Sequence, residues 1–399
     1  MKKILIILFS VIILAITCAC AYFYTTISPH AESNNVQKNN DIINSNITNT
    51  IPSNSDTSSD IFSSYYVKAE EILSNMSLED KIGQMFLARY PSFGVLNEIR
   101  NYNPAGYILF GRDFQNETPN SIKKELQECQ NASKIKLALG VDEEGGTVVR
   151  VSSYKAFKSS PFSSPRTVFA NGGMEAIVSD SHKKSSLLKS IGLNMNLAPV
   201  VDVPESTNDF IYARSFSTDV NEVKEFTKEI INTMKEDNIT SVMKHFPGYG
   251  NNVDTHTGIA IDKRDYSNFE NRDFLPFEEG IKNGSPAILV SHNIVECMDD
   301  SKPASLSKNV HSLLRNELGF SGIIITDDLA MDAVKEYVEN GEAATQAVLA
   351  GNDLIISSDF VNQRNEVLQA VKNGVISEDI INTAVRRVLA WKLQYGIIE

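Results

Sequence analysis

Eight short apolar runs recur along the chain, and most are separated by enough residues for one helix. They are Gln84 to Ala88, Gly106 to Phe110, Leu137 to Val141, Met195 to Ala198, Thr240 to Met243, Ala287 to Val290, Ile323 to Ile325 and Asp353 to Ile356. Each is bounded by turn residues and is too short for a helix, so each predicts a buried strand. Helical spacing falls between them, at Ile122 to Cys129, Val178 to Lys189, Val223 to Lys235, Phe274 to Lys282, Val310 to Leu318 and Ala343 to Leu349. Strands joined by such helices run parallel, because each crossover has to cover a sheet face. Eight strands in this alternation predict an α/β fold of the closed (β/α)8 TIM-type barrel. An open doubly wound sheet is the alternative, weakened because no GxGxxG turn follows the first strand. Before the first run, Val67 to Leu73 has helical spacing and Ser77-Leu78-Glu79-Asp80 is a helix-start signature. After the eighth, Asn362 to Val371 and Asp379 to Leu393 predict two closing amphipathic helices. A single domain over residues 64–399 is therefore expected, with nothing left for a second one.

The N-terminal part has a different character. Residues 1–27 start with Lys2 and Lys3 and continue as an almost unbroken apolar run from Ile4 to Tyr24. A positive start and an apolar middle describe an export signal, and a run of about 20 residues is also long enough to span a bilayer. Ala19-Cys20 weakly resembles a lipoprotein cleavage site, although Thr17 stands where a larger aliphatic residue is usual. The expectation is attachment to the outer face of the membrane, by a lipid or by an uncleaved helix. Residues 28–63 are rich in Asn, Ser, Thr and Asp, bury too little apolar surface to offset their ordering entropy, and predict a polar tether. The net charge of -13 argues against nucleic acid as a partner. Of four cysteines, Cys18 and Cys20 lie in the apolar run, leaving Cys129 and Cys297 in the body. No CxxC pair suggests a metal site, and a Cys129–Cys297 bond has nothing in the sequence to support it.

In a (β/α)8 barrel chemistry gathers where the strands end at their C-terminal side. The third run ends in Asp142-Glu143-Glu144, with Arg150 shortly after. The fourth leads to Asp202 and then to the loop holding Arg214. The fifth ends at Lys244-His245, the sixth at Ser291-His292-Asn293, and the seventh at Asp327-Asp328. An aspartate at a strand end commonly caps the next helix, and Asp328 fits that role. After His245 comes a loop, FPGYGNNVDTH, in which Gly248 and Gly250 permit backbone shapes that bulky residues resist. Asp254 and His256 stand two apart near its far end. A carboxylate beside an imidazole holds its tautomer and raises its pKa, as a proton donor near neutral pH requires. His30, His182 and His311 fall in the tether or on helical faces and look incidental.

Nine separated blocks, in order, resemble motifs of family 3 glycoside hydrolases of the single-domain β-N-acetylglucosaminidase type. They are MSLEDKIGQMF at 76–86, GYILF at 106–110, DEEGGTVVR at 142–150, NLAPVVDV at 196–203, ARSF at 213–216, KHFPGYG at 244–250, LVSHNIV at 289–295, PASLS at 303–307 and LGFSGIIITDDLAM at 318–331. The resemblance implies that Asp327 is a nucleophile, that His256 is the acid/base, and that Asp254 orients it. It further implies that Asp142, Arg150, Arg214, Lys244 and His245 bind the terminal N-acetylglucosamine. The reaction implied is retaining hydrolysis through a glycosyl-Asp327 ester, with no metal or cofactor. Because a neutral imidazole does not repel an anion, phosphate in place of water as acceptor stays open. The chain is expected to act as a monomer on a carbohydrate. β-Glucosidase or β-xylosidase specificity is the nearest alternative, and a sugar-binding surface lipoprotein without catalysis is the alternative of another class. Four positions depart from the family pattern, with Tyr249 for His, Asn251 for Asp, Glu143 for Gln and Thr147 for Arg.

Overall fold

Each of the eight apolar runs is a barrel strand. The structure, a computed structural model, describes residues 60–252, 258, 260–338 and 342–399. In chain order the strands are β1 (Phe86–Arg89), β2 (Gly106–Leu109), β3 (Ala138–Val141), β4 (Met195–Asn196), β5 (Thr240–Ser241), β6 (Met243–Phe246), β7 (Ile261–Asp262), β8 (Ala287–Val290), β9 (Ile294–Val295), β10 (Ile323–Thr326) and β11 (Ile355–Ser357). All paired strands are parallel. One sheet runs β11-β1-β2-β3-β4-β5 and a second runs β10-β8-β6. Single bridges join them into a cylinder, Val200 to Lys244 on one seam and Ile325 to Leu354 on the other. Backbone bonds from Lys244 N to Pro199 O at 3.1 Å and from Thr326 N to Leu354 O at 3.1 Å close both seams.

The fifth stave differs from its prediction in one respect. It is broken at Val242 into β5 and β6, and its pairing with β8 shifts register between Met243 and Phe246. Lys244 and His245 lie within β6, at the strand end where they were expected, with Phe246 as its last residue. The short pair β7 and β9, outside the barrel, has no counterpart in the sequence pattern because two residues each carry no periodicity.

Helices cover the outside. Ser77 caps the helix Leu78–Gly83 by accepting from Asp80 N, as its motif implied. The helix expected from Val178 begins earlier, at Pro165, and runs to Ser190 with a break at Gly172 and Gly173. The expected Val310–Leu318 helix is a short α-turn at Lys308–Ser312 continued by the wider turns of Leu313–Glu317. The last helix, Glu378–Gln394, buries Trp391 against β5, where the indole N–H donates to Thr240 Oγ1 at 3.1 Å. Staves and helices share one apolar core. Cys129 is buried and Cys297 exposed, and both are free thiols. Among the described residues no helix is long and apolar enough to cross a membrane, and no group of three or more His, Cys, Asp or Glu is placed to hold a metal. Residues 1–27 and the tether up to residue 59 lie outside the described residues.

Candidate active site

A cavity of about 560 Å³ opens at the C-terminal ends of the staves. Asp142, Arg150, Arg214, Lys244, His245 and Asp327, six residues singled out from the sequence, all line it. Asp254 and His256 lie outside the described residues.

One wall is a charge cluster assembled from segments far apart in the chain. Lys244 Nζ bridges two carboxylates, Asp142 Oδ1 and Glu144 Oε1, at 2.6 Å each. Arg214 takes the same Glu144 in a two-pronged grip, Nη2 to Oε1 at 2.7 Å and Nε to Oε2 at 3.0 Å. Planar guanidinium and planar carboxylate match in this geometry, which gives both groups a defined orientation. Burial alone would raise the Glu144 carboxyl, but the charges of Lys244 and Arg214 outweigh it and hold it well below the usual carboxylate range. The Arg214 guanidinium responds in mirror image. Burial would lower its pKa, and Glu144 raises it instead.

His245 extends the cluster. Its Nε2 lies 3.1 Å from Arg214 Nη2, and its Nδ1 lies 2.7 Å from Asp202 Oδ2. Asp202 also accepts the backbone N–H groups of His245 at 3.1 Å and of Tyr249 at 2.8 Å. Tyr249 itself is buried, with its ring edge-on to the His245 ring at 5.1 Å. The departure from histidine at this position thus places a packing ring against the imidazole.

Neighbouring glutamates do different work. Glu143 turns away from the cavity and accepts from the backbone of Arg150 and Val151 at 2.8 Å each and from Ser152 N at 3.3 Å. That loop carries Arg150, so Glu143 sets where its guanidinium enters. Glycines shape the next loop. Gly248 has φ of +125°, and a Cβ there would meet Asp273 Oδ1 at 2.4 Å. Its carbonyl accepts from Arg264 Nη2 at 3.1 Å, while Arg264 pairs with Asp262 and Asp273 beneath it.

Asp327 comes from the other side of the mouth. In the barrel order β10 stands opposite β3, so Asp327 faces the cluster anchored at Asp142. Its backbone N–H donates to Val290 O at 3.0 Å, and its Oδ1 accepts from Asp328 N at 2.8 Å. Asp328 caps no helix. Its Oδ1 accepts from Ala330 N at 2.9 Å and Ser358 N at 3.0 Å, tying two loops together. His292 does not line the cavity; its ring Nε2 donates to Asp328 O at 3.1 Å and so buttresses this turn. His182 pairs with Asp237 on the outside and His311 is buried against Ser307, both away from the mouth.

Glu144 and Asp202 stood among the strand-end carboxylates of the sequence, yet nothing there assigned them a part. The only signal was position, since both follow apolar runs. Arg89 and Phe110, at the ends of β1 and β2, also line the cavity and were not singled out.

The family model for the glycosyl hydrolase family 3 N terminal domain matches residues 77–391. The chain belongs to glycosyl hydrolase family 3. This family 3 chain is 30% identical over 325 residues to beta-hexosaminidase A from Pseudoalteromonas piscicida, covering 74% of its own length and 54% of that protein. It is 31% identical over 308 residues to a beta-hexosaminidase from Xylella fastidiosa (strain M23), covering 74% of itself and 90% of the relative. Among solved structures it is similar to a glycoside hydrolase family 3 beta-N-acetylglucosaminidase from Paenibacillus sp. (strain FPU-7), with a TM-score of 0.76 and 29% identity over 81% of this chain and 63% of that one. The family 3 chain thus spans about half the length of the Pseudoalteromonas relative.

Proposed function

We propose that the chain is a retaining exo-β-N-acetylglucosaminidase, acting on terminal β-linked N-acetylglucosamine of cell-wall fragments or chitooligosaccharides. The observation that carries this is the placing of Asp327 across one 560 Å³ cavity from the Asp142–Lys244–Glu144–Arg214 cluster. A sugar ring needs oriented donors and acceptors for its hydroxyls on one side and a carboxylate at its anomeric carbon. Paired charges held in place before the sugar arrives lose little further freedom on binding it.

In this reading Asp142, Arg150, Arg214, Lys244 and His245 grip the non-reducing sugar, and Asp327 attacks the anomeric carbon. His256, oriented by Asp254, protonates the leaving oxygen and then activates the acceptor that releases the sugar from the Asp327 ester. Those two roles rest on the resemblance of the 244–256 loop. Residues 1–27 would hold the enzyme at the outer membrane face, with residues 28–63 as the tether and residues 64–399 as the catalytic domain.

The test uses the purified full-length chain in detergent with aryl β-N-acetylglucosaminides. Turnover by the parent and its loss in Asp327→Asn support the reading, as does a His256→Ala variant that fails on poor leaving groups far more than on activated ones. No hydrolysis by the parent, or equal loss on both kinds of leaving group, overturns it. Running the reaction with and without phosphate identifies the acceptor from the product.

A further inference from the structure

Glu144 and Arg214 stand between two cavities. On one side is the mouth, and on the other a smaller space of about 30 Å³ between the barrel wall and the helices Pro165–Ser190 and Val220–Glu236. Asp180, Lys184 and Asn196 are among its other walls. It has room for about two water molecules, so this part of the wall is backed by space rather than by a packed side chain. Close packing fixes most buried side chains. Here hydrogen bonds have that task. The Glu144 carboxylate is held by Lys244 and Arg214, its backbone N–H donates to Val148 O at 3.0 Å, and its carbonyl accepts from Lys184 Nζ at 2.8 Å.

Lys184 reaches that carbonyl from the helix Pro165–Ser190, 40 positions along the chain. It is buried, and Asp180 Oδ2, one turn earlier on the same helix face, steers its Nζ from 2.8 Å. The Phe162 ring, centred 5.5 Å from the Nζ, covers it. The turn after Glu144 leaves room for the approach: Gly145 has φ of +100°, and a Cβ there would meet Lys184 Nζ at 3.1 Å. The loop of Arg214 has a tie of its own. Arg166 Nη2 donates to Ser215 O at 3.1 Å, and the Arg166 guanidinium lies 3.8 Å from the centre of the Tyr212 ring. Arg166 precedes the helix break at Gly172 and Gly173 and Lys184 follows it, so separate segments hold the two loops whose side chains pair at the mouth.

We infer that Lys184 is a positioning residue of the active site: by donating to the Glu144 carbonyl it keeps the Glu144 carboxylate where Lys244 and Arg214 are set for the sugar. The inference rests on the glycosidase reading for what those two groups bind. An i,i+4 pair such as Asp180 and Lys184 ordinarily steadies only its own helix. This one spends a further donor on the backbone of the residue that organises the binding cluster. Without that donor the Glu144 carbonyl is left buried and unpaired, and the turn is free to relax into the space behind it. Lys244 and Arg214 then follow their shared anion. Bound substrate and transition state use the same two groups, so the loss falls on KM more than on kcat.

The experiment uses the purified full-length chain in detergent with two readouts, steady-state hydrolysis of an aryl β-N-acetylglucosaminide and calorimetric binding of N-acetylglucosamine. Lys184→Met, which keeps the length of the side chain and loses its donor, should raise KM and the N-acetylglucosamine Kd about tenfold each and leave kcat within about threefold. Asp180→Asn keeps an oxygen for Nζ and leaves the bond to Glu144 in place. It should lower the unfolding temperature with KM within about twofold of the parent. Combining Lys184→Met with Asp180→Asn removes the carboxylate that has lost its cation, so a folding defect of the single variant is relieved while KM stays raised. Unchanged KM and Kd in both chains carrying Lys184→Met, or an equal rise in KM from Asp180→Asn alone, overturns the inference. A parent that binds N-acetylglucosamine without hydrolysing the aryl glycoside overturns the glycosidase reading, and the Kd comparison then still decides the part played by Lys184. A parent that does neither overturns both.

Discussion

The two ends of the barrel both bury a carboxylate shared by two cations, and they use it differently. At the mouth, Glu144 sits between Lys244 and Arg214 and the group lines the larger cavity. At the floor, Asp353 sits between Arg315 and Arg387 and also accepts from Ile324 N at 2.8 Å. Asp353 and its arginines do not line that cavity; they stitch the start of β11 to the helix Glu378–Gln394 and to the turn before β10. The chemistry of the pairing is the same at both ends. What separates a binding cluster from a structural one is the empty space beside it, which lets fixed charges meet a ligand instead of only each other.

The largest expected effect is at the mouth, opposite the cluster. Asp327→Asn should lower kcat by at least about a thousandfold, since the nucleophile proposed here has no substitute. Thermal unfolding should move little, because the hydrogen bond from Asp328 N can still be accepted by the amide oxygen. A variant that unfolds instead would mean that Asp327 belongs with the structural carboxylates.

Glu144→Gln comes next. It leaves Lys244 and Arg214 without their shared anion, and misplacing the two groups proposed to bind the sugar should lower kcat/KM about a hundredfold. Breaking this buried pairing should also cost about 3–5 kcal/mol of stability, measured by urea denaturation. Asp353→Asn at the floor should match it in stability loss, at about 3 kcal/mol. Its kcat/KM, corrected for folded fraction, should stay within about twofold of the parent. Activity lost equally in both variants would erase the division between the two ends.

Much of the barrel was legible because parallel strands buried on both faces must be apolar throughout, so β1, β2, β3, β8 and β10 announce themselves. The break at Val242 was not, since Thr240 to His245 reads as one strand and only the shifted pairing with β8 divides it. Within the site, Asp142, Lys244 and Asp327 could be picked out as polar residues ending apolar runs. The opposite uses of Glu143 and Glu144 could not, because partners for Glu144 lie 70 positions away at Arg214 and farther at Lys244. Arg89 was hidden for the converse reason: it ends a strand, but its place in the cavity wall comes with the ring of Phe110 beneath its guanidinium, a contact that has no spacing rule. The loop with Asp254 and His256 was carried by motif alone.

The smallest effect concerns pH, and it separates the two ends by the window in which each matters. Lys392, fully buried at the floor, donates to Gln84 Oε1 at 2.8 Å and Lys136 O at 3.0 Å, and burial brings its pKa down to about 7. Its unfolded value is about 10.5, so between these limits the unfolded chain holds a proton that the native one lacks. Stability from this group is therefore present above about 10.5 and lost as pH falls through about 7, with a slope of at most about 1.4 kcal/mol per pH unit. Glu144 behaves oppositely in range: its folded pKa lies below 4.5, so its contribution is present above that value and is lost only as pH falls through the lower folded one. Lys392→Met should flatten the rise in urea midpoint between pH 7 and 10, while lowering stability at pH 10 by about 1–3 kcal/mol because two acceptors lose their donor. Below pH 4.5 the variant should run parallel to the parent, since Lys392 is there protonated in both the folded and the unfolded chain. A variant that keeps the alkaline slope would place its origin in some group other than this lysine.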